Sequence, residues 1–545
     1  MCAVARRPAP TRARISSAAV NGAESLIRTV AAAGVDVCFA NPGTTEMHLV
    51  QALDDAGGVR PVLGLFEGVC TAAADGYARM AGRPAMTLLH LGPGMANGIA
   101  NLHNANRGRT PLLSVVGDHS AAHRGRGAPL ESDIEGLARP CSKWVRTAAS
   151  AGTLARDGAE AVAAATSAPG GVATLIVPAD CAWDDAEGPF PPIAPDPEPT
   201  VSDDAVEAAA RLLRAPADRP VTLLLGWGAL TEAGLRAAAR VARATGARLQ
   251  AETFPARVER GGGLPVAPRL PYFPEEATAA LAQGSSVLLA GTREPIAFFG
   301  YPDLPSELVP PGMPVQTLAE PGEDATEALG RLADALDTAA GADAGASHGA
   351  SPLAGAAGPP PPAPDAPLTP ITVSQIIAAG QPEGAIVVDE GLTVSAFYVE
   401  LSTGAPRHTY LALTGGAIGF GLPAAAGAAV ACPDRPVIAL QADGSGMYTA
   451  QALWTQAREG LDVTNLVCAN GTYRILLEEL SRAGVDDPAP GARSLTSLGE
   501  PGLDWVALAR SMGVPGRRVT TAGELGTALS EALAEPGPHL VEMVI

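Results

Sequence analysis

Two short loops in the last third of the chain carry residue types that bind a hard metal ion. Asp443 lies just after the apolar run Val437–Gln441, and Asn470 lies just after the next such run, Val463–Cys468. If both runs are parallel strands, their carboxyl ends lie at one edge of a sheet, where ligands bind in folds of this kind. Carboxylate, amide and backbone carbonyl oxygens are ligands that Mg²⁺ accepts. We therefore predict a magnesium site that contains Asp443 and Asn470.

The residues after Asp443 are also suited to a phosphate group. Gly444 allows the backbone to approach a ligand closely, and Ser445 is predicted to open a helix whose N-terminus attracts an anion. Taken alone, an Asp-Gly-Ser corner is more often an ordinary turn or a helix cap. The second corner at Asn470, 27 residues later, favours the metal site.

The two corners resemble the cofactor-binding motif of enzymes that depend on thiamine diphosphate (ThDP, also called thiamine pyrophosphate). That motif is Gly-Asp-Gly followed further along the chain by Asn-Asn, and this chain departs from it at Ala442 and Ala469. The resemblance implies that Asp443, Asn470 and the carbonyl of Thr472 bind Mg²⁺. It also implies that the residues after Asp443 bind the diphosphate.

Other segments in the last third of the chain, within 371–545, resemble cofactor-binding segments of the same superfamily. Within 414–423 the resemblance implies that Ile418 bends the cofactor and that the Gly416 carbonyl accepts a hydrogen bond from its amino group. The alternative is a Gly-rich entry to the following helix. Leu392 and Thr393 lie where the superfamily binds the diphosphate. The remaining predicted cofactor contacts are Tyr448 and Tyr473.

ThDP has to lose a proton from its thiazolium ring, and a carboxylate that hydrogen-bonds its pyrimidine promotes this step. Glu67 is the candidate, because it follows the apolar run Val62–Phe66 and precedes a predicted helix. An isolated Glu at a strand end is more often a helix cap. The surrounding segments resemble the superfamily's pyrimidine-binding domain, which implies the activating role for Glu67 and a cofactor contact for Asn97. These segments are Asn41–Glu46, Phe66–Gly68, Ala74–Ala78 and Gly92–Gly98.

The chain resembles both acetolactate synthase large subunits and benzoylformate decarboxylases. It lacks the residues that select the acceptor in the synthases, since this loop reads Thr472–Leu477, and the superfamily's first-domain Gln is absent from 128–133. It keeps the decarboxylase His at His90 and a hydroxyl at Thr44, whereas the middle-domain His is replaced within 295–299. We predict catalytic roles for His90 and Thr44, although a His at a strand end is somewhat more often structural than catalytic.

The predicted reaction is decarboxylation of a 2-oxo acid, after which the enamine is ligated to a second carbonyl, as in an acetolactate synthase. The alternative is protonation of the enamine and release of an aldehyde, as in a benzoylformate decarboxylase. A further alternative is a catalytically silent regulatory paralogue, because Ala442 and Ala469 depart from the cofactor-binding motif. A nucleotide-dependent oxidoreductase is disfavoured because no strand opens into a complete GxGxxG followed by an acidic residue. We expect no FAD, because the middle block has no flavin signature.

The elements that position these residues fall into three blocks, in which short β-branched or Leu-rich runs alternate with Ala-rich stretches. This pattern is typical of parallel sheets covered by helices on both faces. We predict an α/β protein of three doubly wound parallel-sheet domains, which the resemblance identifies as pyrimidine-binding, central and diphosphate-binding. The predicted boundaries are 1–18 for a disordered tail, 19–185, 200–338, 339–370 for an Ala/Gly/Pro-rich linker, and 371–545.

Composition restricts the partners. The net charge of −20 disfavours nucleic acid, and no apolar run is long enough to span a membrane. Seven cysteines without any CxxC indicate neither a zinc site nor a disulfide framework, so we predict a cytoplasmic protein. The arginines near the N-terminus leave a transit peptide as an alternative. The resemblance further implies that Glu67 acts on a cofactor bound by another subunit, in a homodimer or homotetramer.

Overall fold

The structure, a computed structural model, describes residues 20–340 and 362–545. The predicted tail 1–18 and residues 341–361 of the predicted linker lie outside the described residues. The described part of the chain forms three larger sheets with helices between their strands, and within these sheets every strand pair except one is parallel.

A parallel sheet of six strands forms the centre of the first domain. The strands of this domain are Val20–Asn21 (β1), Val37–Asn41 (β2), Arg60–Leu63 (β3), Ala85–Leu89 (β4), Leu112–Asp118 (β5), Trp144–Thr147 (β6), Val172–Pro178 (β7) and Asp185–Ala186 (β8). The order in the sheet is β3-β2-β4-β5-β7-β6, and β1 pairs with β8 separately. Five apolar runs of the sequence predict strands that overlap β2, β3, β4, β5 and β7, namely Val35–Ala40, Val62–Phe66, Ala85–His90, Pro111–Gly117 and Ala173–Val177. The sequence does not predict β6, an edge strand whose residues Trp-Val-Arg-Thr form no apolar run.

Apolar helix faces cover both sides of this sheet. The helices are Gly22–Ala32 (α1), Met47–Ala56 (α2), Glu67–Ala81 (α3), Leu91–Arg107 (α4), Ile134–Ala138 (α5), Ala151–Thr166 (α6) and Ala179–Trp183 (α7). Helices α1, α2 and α6 contribute to the core on one side, and α3 and α4 contribute to the core on the other. The first domain is therefore doubly wound, as predicted.

The middle domain contains a smaller parallel sheet of four strands. Its elements are Asp203–Arg214 (α8), Thr222–Leu225 (β9), Glu232–Thr245 (α9), Arg248–Ala251 (β10), Val258–Arg260 (β11), Pro274–Leu281 (α10), Val287–Ala290 (β12), Val315–Ala319 (β13) and Ala325–Ala340 (α11). The sheet order is β10-β9-β12-β13. The short strand β11 lies outside this sheet and pairs with the third-domain strand His408–Ala412.

The third domain has the largest sheet. Its elements are Pro370–Gly380 (α12), Ala385–Glu390 (β14), Ser395–Leu401 (α13), His408–Ala412 (β15), Gly421–Ala431 (α14), Val437–Ala442 (β16), Asp443–Gly446 (α15), Ala452–Glu459 (α16), Val463–Ala469 (β17), Arg474–Arg482 (α17), Pro490–Thr496 (α18), Trp505–Ser511 (α19), Gly516–Val519 (β18), Ala522–Ala534 (α20) and His539–Val544 (β19). The sheet order is β11-β15-β14-β16-β17-β19-β18. The purely parallel prediction is wrong at one edge, because β11 pairs antiparallel with β15. Strands β15 and β18 are further elements that the apolar runs do not predict.

Close packing of α3 on α14 joins the first and third domains. A Cβ at Gly76 would lie 2.1 Å from the Ala424 carbonyl oxygen, and a Cβ at Gly427 would lie 1.8 Å from that of Ala73. The buried Arg79 guanidinium pairs with Asp75 and donates to backbone carbonyls of the middle and third domains. Because α3 begins at Glu67 and α14 follows the 414–421 loop, this packing fixes two predicted cofactor segments relative to each other. Within the described residues, no helix is long and apolar enough to cross a membrane.

Candidate active site

The two predicted metal-binding corners meet at the carboxyl edge of the third sheet. Asp443 follows β16, Asn470 follows β17, and these strands are direct neighbours. The Asp443 carboxylate accepts hydrogen bonds from the backbone amides of Gly444 at 2.9 Å and Gly471 at 2.7 Å. Gly471 adopts φ +65°, a conformation that favours glycine, and this turn directs its amide at the carboxylate. The structure thus brings the two corners into direct contact.

The Asn470 amide connects this corner to the segment after β14. Its Nδ2 donates to the Thr393 hydroxyl at 3.2 Å, and its Oδ1 accepts from the backbone amide of Thr472 at 3.0 Å. Four predicted cofactor or metal residues, including Asp443, therefore lie within one hydrogen-bonded group. Leu392, the residue before Thr393, is half exposed with φ +38°. Such backbone strain in a non-glycine residue is concentrated at functional sites.

The charge at this corner is suited to a cation. Burial raises the pKa of the Asp443 carboxyl, and no ion pair among the described residues includes it. A divalent cation would supply the missing counter-charge. Within residues 20–340 and 362–545, no group of three or more His, Cys, Asp and Glu side chains is arranged to hold a metal. The predicted site needs no such group, since amide, carbonyl, water and phosphate oxygens complete a magnesium sphere. The residues present therefore fit Mg²⁺.

The helical turn α15 begins at Asp443, two residues before the start predicted at Ser445. The Ser445 hydroxyl donates to the Ala442 carbonyl and accepts from the Gln441 amide at 2.6 Å. The Cα of Gly444 faces a protein group, because a Cβ there would lie 2.4 Å from the Tyr473 ring. The group that approaches the Gly444 backbone closely is thus the Tyr473 ring. Tyr473, a predicted cofactor residue, therefore lies against the Asp443 corner.

The predicted pyrimidine segment is a loop between β15 and α14 that helix α4 holds. Asn101 donates to the Gly419 carbonyl at 3.2 Å, and Asn104 donates to the Ala417 carbonyl at 2.7 Å. In this loop Gly416 is exposed with φ +77°, and Ile418 is half-buried against the core below α14.

Two aromatic side chains approach this loop from outside it. A Cβ at Gly416 would meet the Phe298 ring at 2.4 Å, so a middle-domain residue lies against the loop. Tyr448 is half exposed, and its Cβ lies near Gly419. The sequence predicted neither the contact from Phe298 nor the polar face of α4.

Glu67 begins α3 and is almost fully buried. Its Oε2 accepts from Asn97 Nδ2 at 3.0 Å, and a Cβ at Gly94 would lie 3.0 Å from its Oε1. Two residues predicted to contact the cofactor are therefore paired. Among the described residues, the hydrogen bonds of this carboxylate stay within the first domain and do not reach the Asp443 corner.

His90 lies at the end of β4, on the Glu67 side of the domain. Its Nδ1 lies 2.8 Å from Oε2 of the fully buried Glu46 and 3.4 Å from the Thr45 hydroxyl. Thr44, the predicted hydroxyl, is exposed, and the neighbouring Thr45 makes the contact to His90. Sequence reasoning missed Glu46, although an acid at the end of Asn-Pro-Gly-Thr-Thr-Glu was a visible signal. Leu91, next to His90, has φ +52°.

Comparisons with known proteins agree with this geometry. Residues 20–137 match the family model "Thiamine pyrophosphate enzyme, N-terminal TPP binding domain", and residues 392–543 match the corresponding C-terminal TPP binding domain. The chain is 50% identical, over 96% of its length and 99% of the relative, to the protein of Mycobacterium tuberculosis named "Putative acetolactate synthase large subunit IlvX". The chain belongs to the thiamine pyrophosphate enzyme family. The resemblance inferred from the motifs is confirmed.

The chain is also similar to two proteins that are named as decarboxylases. The chain is 34% identical to the benzoylformate decarboxylase of Pseudomonas aeruginosa, over 94% of this chain and 96% of the relative. A ThDP-dependent 4-hydroxybenzoylformate decarboxylase of Rhodococcus jostii RHA1 superposes with a TM-score of 0.82 at 25% identity, over 96% of this chain and 98% of that one. The fold is therefore that of ThDP-dependent decarboxylases, and both matched domains are ThDP-binding domains.

Proposed function

We propose that this protein decarboxylates a 2-oxo acid with the help of ThDP and Mg²⁺. The observation that carries the proposal is the Asp443 corner, a buried carboxylate without an ion-pair partner among the described residues that is bonded to the amide of Gly471. Asp443, the Asn470 amide oxygen and the Thr472 carbonyl would hold Mg²⁺, and Thr393 and the backbone after Asp443 would hold the diphosphate.

When bound, ThDP would supply a nucleophilic carbon and an electron sink for the loss of carbon dioxide from the substrate. Glu67 would hydrogen-bond the pyrimidine ring nitrogen and share a proton with it, while Asn97 orients the carboxyl group. His90, oriented by Glu46, would move a proton at the substrate oxygen, and its contact with the Glu46 carboxylate supports this role. These roles use only side chains that the structure pairs with each other.

We further propose ligation of the decarboxylated acyl group to a second carbonyl compound, which the IlvX relative supports. The products would be carbon dioxide and a 2-hydroxy ketone. Protonation of the same acyl group, which would give an aldehyde and carbon dioxide, is the second candidate, and the two decarboxylase relatives favour it.

Product analysis tests both statements. The protein is incubated with pyruvate or with phenylglyoxylate, with ThDP and Mg²⁺, and in parallel without ThDP and with a chelator. We expect carbon dioxide release only in the complete mixture. Acetolactate from pyruvate would support ligation, whereas an aldehyde would establish simple decarboxylation. Absence of carbon dioxide from a panel of 2-oxo acids, despite bound ThDP, would contradict the proposed reaction.

We also propose that each active site combines Glu67 of one subunit with the Asp443 corner of another. The resemblance to the superfamily is what suggests this arrangement, and among the described residues the Glu67 carboxylate makes no hydrogen bond to that corner. Glu67→Gln and Asp443→Asn should each be inactive, yet unfolding and refolding them together should form mixed dimers with one intact site. About a quarter of wild-type activity is expected from random pairing. Activity no higher than that of either variant alone would contradict a shared site.

A further inference from the structure

A second buried carboxylate lies beneath the pyrimidine loop. Glu390 is the last residue of β14 and is 2% exposed. Its Oε1 accepts from the backbone amide of Gly419 at 2.5 Å, and its Oε2 accepts from that of Gly421 at 2.7 Å. One side chain therefore binds both amides that flank Phe420, just after Ile418.

The same carboxylate is connected to the metal corner. Its Oε2 also accepts from Gln441 Nε2 at 3.1 Å, and this nitrogen donates to the Ser445 hydroxyl at 2.6 Å. Gln441 belongs to β16, which leads directly into Asp443. Glu390 thus connects the pyrimidine loop to the α15 turn through one intervening side chain, that of Gln441.

The fold by itself does not require a charge at this position. Burial raises the pKa of the Glu390 carboxyl, and no ion pair among the described residues includes it, so its ionised form is costly. A glutamine has the same shape and avoids that cost. Only a carboxylate, however, accepts hydrogen bonds with both of its oxygens at once. The double acceptor is therefore the property that explains a glutamate here.

We propose that Glu390 is a positioning residue that locks the Gly416–Gly421 loop to the Asp443 corner. The lock would fix the distance between the site for the pyrimidine and the site for the diphosphate before the cofactor binds. This inference rests on the proposed function for its ligand. The lock itself is a property of the protein without cofactor.

The test is Glu390→Gln, with Glu542→Gln as a matched control. Glu542 is equally buried in the same sheet, on β19, where it pairs with Arg518. In the Glu390→Gln variant, the new side-chain amide would turn its N–H₂ group towards one backbone N–H and leave that donor unsatisfied. ThDP affinity is measured at fixed Mg²⁺ by calorimetry and by fluorescence of Trp505, which packs against Gly446 beside the corner.

We expect Glu390→Gln to raise the Kd for ThDP about tenfold or more, because one backbone donor loses its partner. The apoprotein should melt within a few degrees of wild type, and Glu542→Gln should bind ThDP normally. Wild-type affinity in Glu390→Gln, or equal losses in both variants, would overturn the proposal. Glu390→Asp, which keeps the charge but is too short to reach both amides, should show an intermediate loss. Wild-type affinity in that variant would also count against the lock.

Hydrogen exchange in the absence of cofactor separates this inference from the proposed function. The amides of Gly419 and Gly421 should be protected in the wild-type apoprotein and should exchange at least about tenfold faster in Glu390→Gln. Unchanged exchange would refute the lock even if ThDP binds. If the wild-type protein failed to bind ThDP, the proposed function would fall, and the exchange result would still decide whether the lock exists.

Discussion

The third and middle domains place a carboxylate at the same edge of similar parallel sheets, yet the two carboxylates have different surroundings. In the middle domain, Glu252 follows β10 and accepts from the Thr292 hydroxyl at 3.0 Å, and the Arg109 guanidinium lies close enough to act on its charge. In the third domain, Asp443 accepts only from backbone amides among the described hydrogen bonds. The charge of Arg109 acts on the middle-domain carboxylate although no ion pair among the described residues joins them, whereas no such cation is found near the third-domain carboxylate in the part of the chain that the structure describes. Sheet topology brings an acid to this edge, and the neighbouring side chains decide whether it is suited to a metal.

The largest effect is expected from removing the third-domain charge. Asp443→Asn should weaken binding of ThDP with Mg²⁺ about 100-fold or more, because the variant loses the only carboxylate of the proposed site. Glu252→Gln should leave this affinity unchanged. Calorimetric titration with Mg²⁺ present and with Mg²⁺ chelated measures both. Equal losses in the two variants would remove the distinction between the domains.

A separate effect, on stability instead of ligand affinity, concerns His408, which lies on β15 in the third domain. Burial lowers its pKa from 6.5 to about 4, the nearby Arg260 charge acts in the same direction, and the Nδ1 proton is donated to the Pro406 carbonyl. The unfolded chain takes up a proton below pH 6.5, while the folded protein does not until about pH 4. The contribution of His408 to the free energy of unfolding is therefore fully present above pH 6.5. It decreases by about 3 kcal/mol as the pH falls towards 4.

His408→Gln should remove that part of the acid dependence, because glutamine can donate to Pro406 without titrating. Urea unfolding of the apoprotein at pH 7, 5.5 and 4.5 compares the two proteins. An equally steep loss of stability in the variant would show that His408 does not cause it.

The smallest effect is expected at Glu252 and has the opposite sign. Burial raises the pKa of this carboxyl, so the folded protein retains a proton that the unfolded chain releases above pH 4.5. Its contribution to stability is present below pH 4.5 and is lost as the pH rises through the folded pKa. Glu252→Gln should therefore be more stable than wild type at pH 7.5, with no gain at pH 4. A gain that is independent of pH would contradict the titration of Glu252.

The sequence predicts strands such as β5 and β16 because they consist mainly of apolar residues and are buried along their whole length. It does not predict β6 or β18, which are short edge strands with arginines in their pattern. It also misses the strand β11, whose pairing with β15 depends on contact between two domains.

The site follows the same rule. Asp443 and Asn470 are found by their spacing, because each corner is local in sequence. The contacts of Glu46 with His90, and of Asn101 with the loop at Gly419, join residues far apart in the chain. These contacts depend on how the helices pack, which cannot be predicted from a local sequence pattern.

The central claim is that a ThDP-dependent decarboxylation uses Glu67 for activation and the Asp443 corner for binding. Carbon dioxide release and ThDP affinity measured together in Glu67→Gln test it most directly. We predict that release falls at least about 100-fold while the Kd for ThDP changes less than about fivefold, since the variant keeps the shape and loses the shared proton. Release at the wild-type rate, with ThDP bound, would contradict the account.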